Sequence, residues 1–168
     1  MTVTIRTATS ADARVLARLN GPVQALHAQA QPEFYKPPQV TPELVAHYEA
    51  ELARPDVVIF IAEADGQPAG CAVAIIVDKP ETPFNYALRY LTLDQISVNP
   101  EAQRRGIGTA LVAEVVGLAR RQGIDIVRLQ VFDWNQEALA FYARLGFYTA
   151  VHRQQLDLST AEDIDAMG

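Results

Sequence analysis

The sequence predicts a single α/β domain with a mixed β-sheet and helices on both of its faces. Apolar runs typical of buried strands lie at Val57–Ala62 and Gly70–Val77. Strand–turn–strand patterns occupy the middle of the chain, whereas helical periodicity follows strands in its second half. The 168 residues, about half of them apolar, are enough for one sizeable core.

The first forty residues predict a strand and then a helix that is interrupted. Residues 3–7 alternate as a strand does, and Ser10-Ala-Asp is a cap for the helix that follows. Gly21-Pro22 predicts a break in that helix. A proline-rich loop over residues 31–38 then leads to Thr41-Pro-Glu, which opens a second helix with proline in its first turn.

The middle of the chain predicts three strands. Residues 57–63 and 69–77 flank Asp65-Gly66, a pair typical of tight hairpin turns. After an exposed loop, residues 90–98 form a third long strand, which Asn99-Pro100 ends. The rest predicts a glycine-containing loop (103–108), a helix to about residue 122, a strand (126–132), a helix (135–145), a last strand (148–158) and a short acidic tail (159–168).

Composition excludes several classes of function. The formal net charge of −6 argues against sequence-independent nucleic-acid binding, and no apolar run reaches the ~18 residues of a membrane span. Three histidines and one cysteine lie too far apart for zinc-ligand spacing, so no metal is expected. A single cysteine, Cys71, and an N-terminus without signal-peptide features predict a cytoplasmic protein.

The segment most informative about chemistry joins a strand to a helix at Gln103-Arg-Arg-Gly-Ile-Gly. Its glycines lack a Cβ atom, so a ligand group can approach the backbone closely. The first turn of the following helix leaves N–H groups unsatisfied at the positive end of the helix dipole, which favours phosphate oxygens. The spacing is neither that of a Walker loop nor that of a three-glycine dinucleotide motif.

A second motif follows at Asn135-Gln-Glu-Ala-Leu-Ala-Phe-Tyr-Ala-Arg-Leu-Gly-Phe. The two segments resemble the Gln/Arg-x-x-Gly-x-Gly/Ala and Asn-x-x-Ala-x-x-Phe-Tyr-x-x-x-Gly-Phe signatures of the GCN5-related N-acetyltransferase (GNAT) superfamily. The order of predicted elements over residues 3–158 is similar as well. The resemblance implies one N-acetyltransferase domain over residues 1–158. Its central, mostly antiparallel, twisted sheet would have about six to seven strands, with helices on both faces.

The resemblance also implies acetyl-CoA as co-substrate. The glycine loop would bind its pyrophosphate through backbone N–H groups, and the preceding strand would pair with the pantetheine arm as an added strand does. Asn135 is equally typical of a helix N-cap, and the two roles are compatible. The cofactor-binding residues implied are Ile96, Ser97, Val98, Gln103, Arg104, Arg105, Gly106, Ile107, Gly108, Thr109, Asn135 and Ala138.

Tyr142 matches the tyrosine that donates a proton to the departing sulfur in this superfamily. A phenol with a pKa of ~10 can protonate or hydrogen-bond a thiolate whose thiol has a pKa of ~8.5. The alternative is core packing, because Ala138, Phe141, Tyr142 and Leu145 form one helical stripe. Of the two neighbouring rings, Phe141 is the one we expect in the core.

The implied reaction is direct attack of an amine on the thioester, and its general base is the weak point of the resemblance. Several members carry an acidic residue on the strand after the glycine-loop helix, where this chain has Gln130. Asp94 is the first substitute and Glu63 the second, although Asp94 also suits a solvated strand position or an ion pair. Gln130 keeps open a second function, a non-catalytic acetyl-CoA-binding sensor or regulator.

Acceptor specificity is expected to come from the segment between the first two helices and from the loop over residues 78–86. His27, Phe34 and Tyr35 are the candidates for contacts with a small-molecule or peptide amine. For His27, packing or helix capping is the preferred interpretation, and the aromatic residues suit either a pocket or a pinned loop. Members of the superfamily frequently pair, so the resemblance is also compatible with a homodimer.

Overall fold

The computed structural model describes residues 2–158; the predicted acidic tail lies outside them. Three helices follow the first strand, three strands follow one another in the middle, and helices and strands alternate after that. The strands are β1 Val3–Thr7, β2 Val57–Ala64, β3 Gln67–Lys79, β4 Leu88–Val98 and β5 Val127–Leu129. The helices are α1 Ala13–Leu19, α2 Gly21–Ala30, α3 Pro42–Leu52, α4 Ile107–Arg121 and α5 Gln136–Arg144.

The strands form one mixed sheet in the order β1-β2-β3-β4-β5. The first four strands are antiparallel to their neighbours, and β5 is parallel to β4 because α4 carries the chain back across the sheet. Asp65 and Gly66 both have positive φ and join β2 to β3, which confirms the predicted hairpin turn. The sheet is therefore a four-strand meander extended by one parallel strand.

Alternate side chains of the sheet pack against different helices. Ile59, Ile61, Cys71 and Val73 join a core cluster with buried residues of α1 and α3. Gly70 lies on the opposite face. A Cβ atom at this position would clash, because it would lie 2.7 Å from the Ser97 carbonyl oxygen and 3.4 Å from Ile107 of α4. Small residues on this face of β3 let α4 approach, so helices cover both faces as predicted.

The break between the first two helices and the start of α3 lie where the sequence predicts, whereas α1 begins later than predicted. Asn20 separates α1 from α2, and Pro22 lies in the first turn of α2, which confirms the break. Thr41 caps α3 by accepting a hydrogen bond from the Leu44 N–H at 3.2 Å. The predicted start at Ser10 is a single 3₁₀ turn, and α1 begins at Ala13.

The second half differs from the prediction in its strands. Five strands occur in residues 2–158 instead of about six to seven: β5 ends at Leu129, and residues 148–158 form no strand. The apolar residues of that segment, among them Tyr148, Val151 and Leu156, are exposed, so their alternation buries no face. A period-two pattern forms a strand only where a neighbouring strand and a core cover it.

The residue contacts divide the chain into two compact units, of which the first ends at Trp134 and the second begins at Asn135. The first unit contains the whole sheet and α1–α4. The second contains α5, whose start is capped by the Asn135 side chain. The prediction of one domain over residues 1–158 stays a prediction.

Candidate functional site

The sheet opens along one edge of β4. The parallel pairing of β4 with β5 covers only Leu91–Leu93, opposite Val127–Leu129. Within residues 2–158, Gln95–Val98 at the end of β4 pair with a strand on the β3 side alone, and Asp94 has no partner on either neighbouring strand. A strand edge of this kind presents N–H and C=O groups that can pair with an extended ligand.

A β-bulge lies where the open edge begins. Val73 pairs with Gln95 and Ala74 with Leu93, so Asp94 is the extra residue on β4. A bulge bends its strand and re-aims the neighbouring side chains, which is why bulges occur next to functional sites. The Asp94 side chain is exposed at this point. The structure thus places the predicted base at the first unpaired residue of the open edge.

The other end of the open edge leads into the glycine loop, residues 103–106. Gln103 donates a hydrogen bond from Nε2 to the Val98 carbonyl oxygen at 3.2 Å, which ties the loop to β4. Arg104 and Gly106 have positive φ angles of 59° and 81°. A Cβ atom at Gly106 would meet nothing within 4 Å, so there is space beside this backbone.

The loop ends at the N-terminus of α4, for which Gly106 is the N-cap. Gly106 has no side chain that could cap the first turn, and the backbone N–H groups of that turn suit an anion. We predicted Gly108 and Thr109 in or just after the loop. The structure begins α4 at Ile107 and places both in its first turn. Ile107 itself is fully buried and anchors the helix in the core.

Ser97 is a buried polar residue on the open edge. It is 4% exposed, and its hydroxyl has no hydrogen-bond partner among the residues that the structure describes. Buried hydroxyls are nearly always hydrogen-bonded, so an orphan of this kind needs a ligand or a water. Cys71, its partner on β3, is buried as predicted. Burial raises the pKa of the Cys71 thiol to about 12. Cys71 is therefore an inert core residue.

Four aromatic rings meet at the end of β5 and form what we call the ring cluster: His27, Tyr35, Phe132 and Trp134. The His27 ring lies 4.9 Å from Tyr35, 5.7 Å from Phe132 and 5.9 Å from Trp134, between ring centroids. Phe132 and Trp134 stack with an interplanar angle of 12°. Burial lowers the pKa of His27. Phe34, the third predicted acceptor residue, is instead 65% exposed.

No feature of the sequence alone selects Phe132 and Trp134 for the site. Phe132 was assigned to the end of a strand that in fact stops at Leu129. Both residues therefore lie in a loop, where exposed aromatic side chains signal recognition. Gln130, in the place of the expected acid, follows β5 directly and is exposed. Glu63, the second substitute base, is engaged by Arg6 Nε at 2.7 Å.

The second unit carries three of the predicted residues on or next to α5. Asn135 Oδ1 accepts a hydrogen bond from the Ala138 N–H at 3.1 Å, the N-cap expected of it. Tyr142 is 8% exposed, and burial raises its pKa to about 12. Its ring contacts those of Phe141 and Phe147. Phe141 is only half-buried, so our expectation about which ring lies in the core was wrong.

Two other features, a metal-binding cluster and a membrane-spanning helix, are absent from the part of the chain that the structure describes. Residues 2–158 contain no group of three or more His, Cys, Asp or Glu side chains placed to hold a metal ion. None of the helices α1–α5 has the length and apolar character needed to cross a membrane.

Comparison with known sequences links the chain to acetyltransferases. Residues 23–147 match the acetyltransferase (GNAT) family. The chain is 33% identical to the thialysine N-epsilon-acetyltransferase of Bos taurus over 45% of its length, and 34% identical to the [ribosomal protein bS18]-alanine N-acetyltransferase of Escherichia coli over 64%. The matched regions span 54% and 66% of those two proteins.

Comparison with solved structures finds the same fold. A tetramutant of the BH1408 protein from Bacillus halodurans superposes with a TM-score of 0.85 at 20% identity, covering 92% of this chain and 99% of that one. An aminoglycoside N-acetyltransferase, AAC(6')-Iy, in complex with CoA superposes with a TM-score of 0.70 at 21% identity, covering 93% and 94%. At these identities the likeness concerns the fold alone.

Proposed function

Because the chain belongs to the acetyltransferase (GNAT) family, we propose that it is an N-acetyltransferase, which moves the acetyl group of acetyl-CoA to a primary amine in a ternary complex. One observation carries this proposal: the open edge of β4, Asp94–Val98, runs into the uncapped N-terminus of α4. The edge suits an extended arm with amide groups, and the helix end suits phosphates. CoA carries both in that order.

The residues present fit this co-substrate. Ile96–Val98 offer backbone N–H and C=O groups to the amides of the pantetheine arm. The Ser97 hydroxyl, which has no partner among the described residues, is a further hydrogen-bonding group at the same edge. The space beside Gly106 and the backbone N–H groups at the start of α4 suit the pyrophosphate. Gln103 holds the loop in place through Val98.

Each step of the transfer has a candidate group. The amine nitrogen forms a bond to the acetyl carbon, the carbon–sulfur bond breaks, and the thiolate takes a proton. A backbone N–H of residues 96–98 polarises the carbonyl oxygen. Asp94, exposed at the bulge, accepts the proton of the amine directly or through water. Tyr142 donates to the sulfur, a role that rests on its match to the superfamily motif.

The acceptor is proposed as a small-molecule or peptide primary amine. Two relatives of this chain are named for the acetylation of thialysine at Nε and of alanine in a ribosomal protein. One name specifies the ε-amine of a free amino acid analogue and the other an alanine in a protein, so the two names cover both a small-molecule and a protein acceptor. The net charge of −6 favours acceptors that are cationic in solution.

The proposal is tested by two measurements on the native protein. Titration calorimetry gives the affinity for acetyl-CoA, and thiol release is then followed with lysine, 1,5-diaminopentane and peptides with N-terminal alanine. We expect binding and turnover with at least one amine class. Binding without turnover for any amine would support the sensor alternative, which Gln130 at the place of the expected acid favours. Absence of binding would overturn both functions.

A further inference from the structure

The ring cluster is a recognition surface whose occupant follows from its chemistry. It lies entirely within the first compact unit and draws its residues from three places: α2, the loop after α2, and the chain after β5. Phe132 and Trp134 remain 40% and 36% exposed although they stack on each other. Rings that only filled a core would be covered on both faces.

The loop that carries Tyr35 is held by hydrogen bonds that do not involve the ring cluster. The N–H groups of Phe34 and Tyr35 both donate to the Gln31 carbonyl oxygen at 3.1 Å. Gln24 Nε2 donates to the Lys36 carbonyl oxygen at 2.6 Å. Because the backbone is fixed in this way, the aromatic faces are not needed to pin the loop.

The position of the ring cluster relates it to the open edge. α2, which carries His27, packs against β4. Phe132 and Trp134 follow β5 within five residues of its end. The chain that leaves β5 is no longer paired with β4 at this point, because their pairing stops at Leu93. Three of the four rings therefore belong to segments next to β4: α2, which packs against it, and the chain that follows its neighbour β5.

The electrostatics of the ring cluster favour a cation. The faces of Trp, Tyr and Phe rings carry negative charge density that attracts an ammonium group. His27 does not oppose this attraction, since burial lowers its pKa and leaves its ring neutral at pH 7. Glu33 is exposed in the same loop as Tyr35. Lys36 instead faces α3, where its charge adds to the hydrogen bonds that lower the pKa of Glu43.

We propose that the ring cluster binds the second, non-reacting ammonium group of a diamine acceptor while the first amine attacks the thioester. This inference rests on the proposed acetyltransferase function and names its acceptor class. The reacting nitrogen must lose a proton before it attacks, so it cannot be the cation that the rings hold. The group that the rings bind is therefore the second ammonium, which keeps its charge. Its distance from the reacting nitrogen is set by the length of the acceptor.

The test compares two acceptors of equal chain length, 1,5-diaminopentane and pentylamine, by their kcat/KM for thiol release from acetyl-CoA. A cation–π site predicts a preference for the diamine of about tenfold. The variant Trp134→Leu keeps an apolar side chain but loses the best ring face, and we expect its preference to fall toward one. Tyr148→Leu removes an exposed ring outside the ring cluster and should keep the native preference.

Each outcome has a distinct meaning. Equal kcat/KM for the two acceptors in the native protein would overturn the inference while leaving the proposed function intact. A preference for phenethylamine over both would overturn it too, because the rings would then bind an apolar body. A diamine preference that survives in Trp134→Leu with acetyl-CoA affinity unchanged would also contradict it. Failure of the proposed function is separate, since it abolishes thiol release with every amine.

Discussion

At the residue scale, Asp12 shows how one carboxylate organises the start of the chain. Arg6 donates to both of its oxygens, at 2.9 and 2.8 Å, and the Thr9 N–H donates to Oδ2 at 2.7 Å. The same guanidinium reaches Glu63 on β2. The side chain thus joins β1, β2 and the turn before α1, so its ionisation is coupled to folding.

The variant Asp12→Asn tests this coupling through pH. The hydrogen bonds from Arg6, with those from Thr9, lower the pKa of Asp12 to about 2. A depressed pKa stabilises the fold above the unfolded value of ~3.9, and this stabilisation is lost as pH falls toward 2. We expect Asp12→Asn to cost about 1–2 kcal/mol in urea unfolding at pH 6 and progressively less below pH 4.

Asp56 provides the matched control for Asp12. It also pairs with an arginine, Arg54, at 2.6 Å, but both side chains of that pair are 42% exposed. Exposed pairs contribute little to stability because water and salt screen them. Asp56→Asn should therefore change the unfolding free energy much less. Equal costs at pH 6, or a cost of Asp12→Asn that does not vary with pH, would contradict the interpretation.

Tyr142 makes a separate residue-scale prediction about catalysis. Burial raises its pKa to about 12, so the phenol stays protonated and able to donate throughout pH 7–10. We expect Tyr142→Phe to lower kcat for thiol release about 10²-fold, by the same factor across that range. Acetyl-CoA affinity should change little. Tyr148→Phe, at an exposed tyrosine, is the control. A loss that varies steeply with pH would point to another donor.

Individual residues were predictable from the sequence where a local rule decides them. Asn135 as an N-cap and Cys71 as a buried core residue follow from nearest-neighbour chemistry. The ring cluster was not predictable, because His27 meets Trp134 only through the three-dimensional arrangement of α2 and β5. The roles of Tyr142 and Asp94 stay predictions.

At the scale of elements, the start of α4 gives the clearest test of the phosphate site. Gly106 and Gly123 flank this helix, both have positive φ, and a Cβ atom at either would meet nothing within 4 Å. Alanine at either position should cost about 1–2 kcal/mol of stability, since the left-handed conformation disfavours a Cβ. Only Gly106→Ala places its methyl group where the pyrophosphate is proposed to bind.

The measurements for this pair are urea unfolding and titration with acetyl-CoA. We expect the two variants to lose similar stability. We expect the Kd for acetyl-CoA to rise about tenfold in Gly106→Ala alone. If the two variants bind acetyl-CoA equally well, the pyrophosphate does not approach the backbone at residue 106, and the proposed position is wrong.

Element boundaries were predictable where turn chemistry marks them. The Asp65-Gly66 hairpin and the break before Pro22 are confirmed, because backbone conformation there depends on the residues themselves. The ends of β5 and the segment 148–158 were predicted wrongly. Strand formation there depends on whether a partner strand and a core cover the alternating residues, and the sequence of one segment does not contain that information.

At the scale of the whole molecule, binding of acetyl-CoA should stabilise the folded state. A ligand at 100 times its Kd that binds only the folded protein adds about 2.7 kcal/mol to the unfolding free energy. For a chain of this size that raises the Tm by roughly 5–10 °C. Thermal unfolding followed by circular dichroism, with and without acetyl-CoA, measures the change.

The control for this measurement is NAD, which has a pyrophosphate and an adenosine but no pantetheine arm. We expect it to leave the Tm unchanged. An equal rise with NAD would mean that the protein recognises any dinucleotide phosphate, and the argument from the open edge of β4 would fail.

The fold class was predictable for the whole molecule, because apolar periodicity and two spaced motifs both point to it. The mixed sheet with helices on both faces and the membership of the GNAT family are confirmed. The open edge of β4 was implied only by the resemblance, through the expected pairing of this strand with the pantetheine arm. Its extent depends on where a three-residue pairing ends, which is a property of the assembled sheet.

The order of strands in the sheet also bears on how the protein folds and opens. β3 and β4 each pair with the strand that precedes them in the chain, through short connections that close rapidly, whereas three helices separate β1 from β2. β5 is the last strand in the sequence and follows a helical crossover. Because it pairs over only three residues, few hydrogen bonds protect its amides from exchange. The amide hydrogens of β5 should therefore exchange with solvent sooner than those of β3. The open edge of β4 therefore lies at the border between the most and least cooperative parts of the sheet.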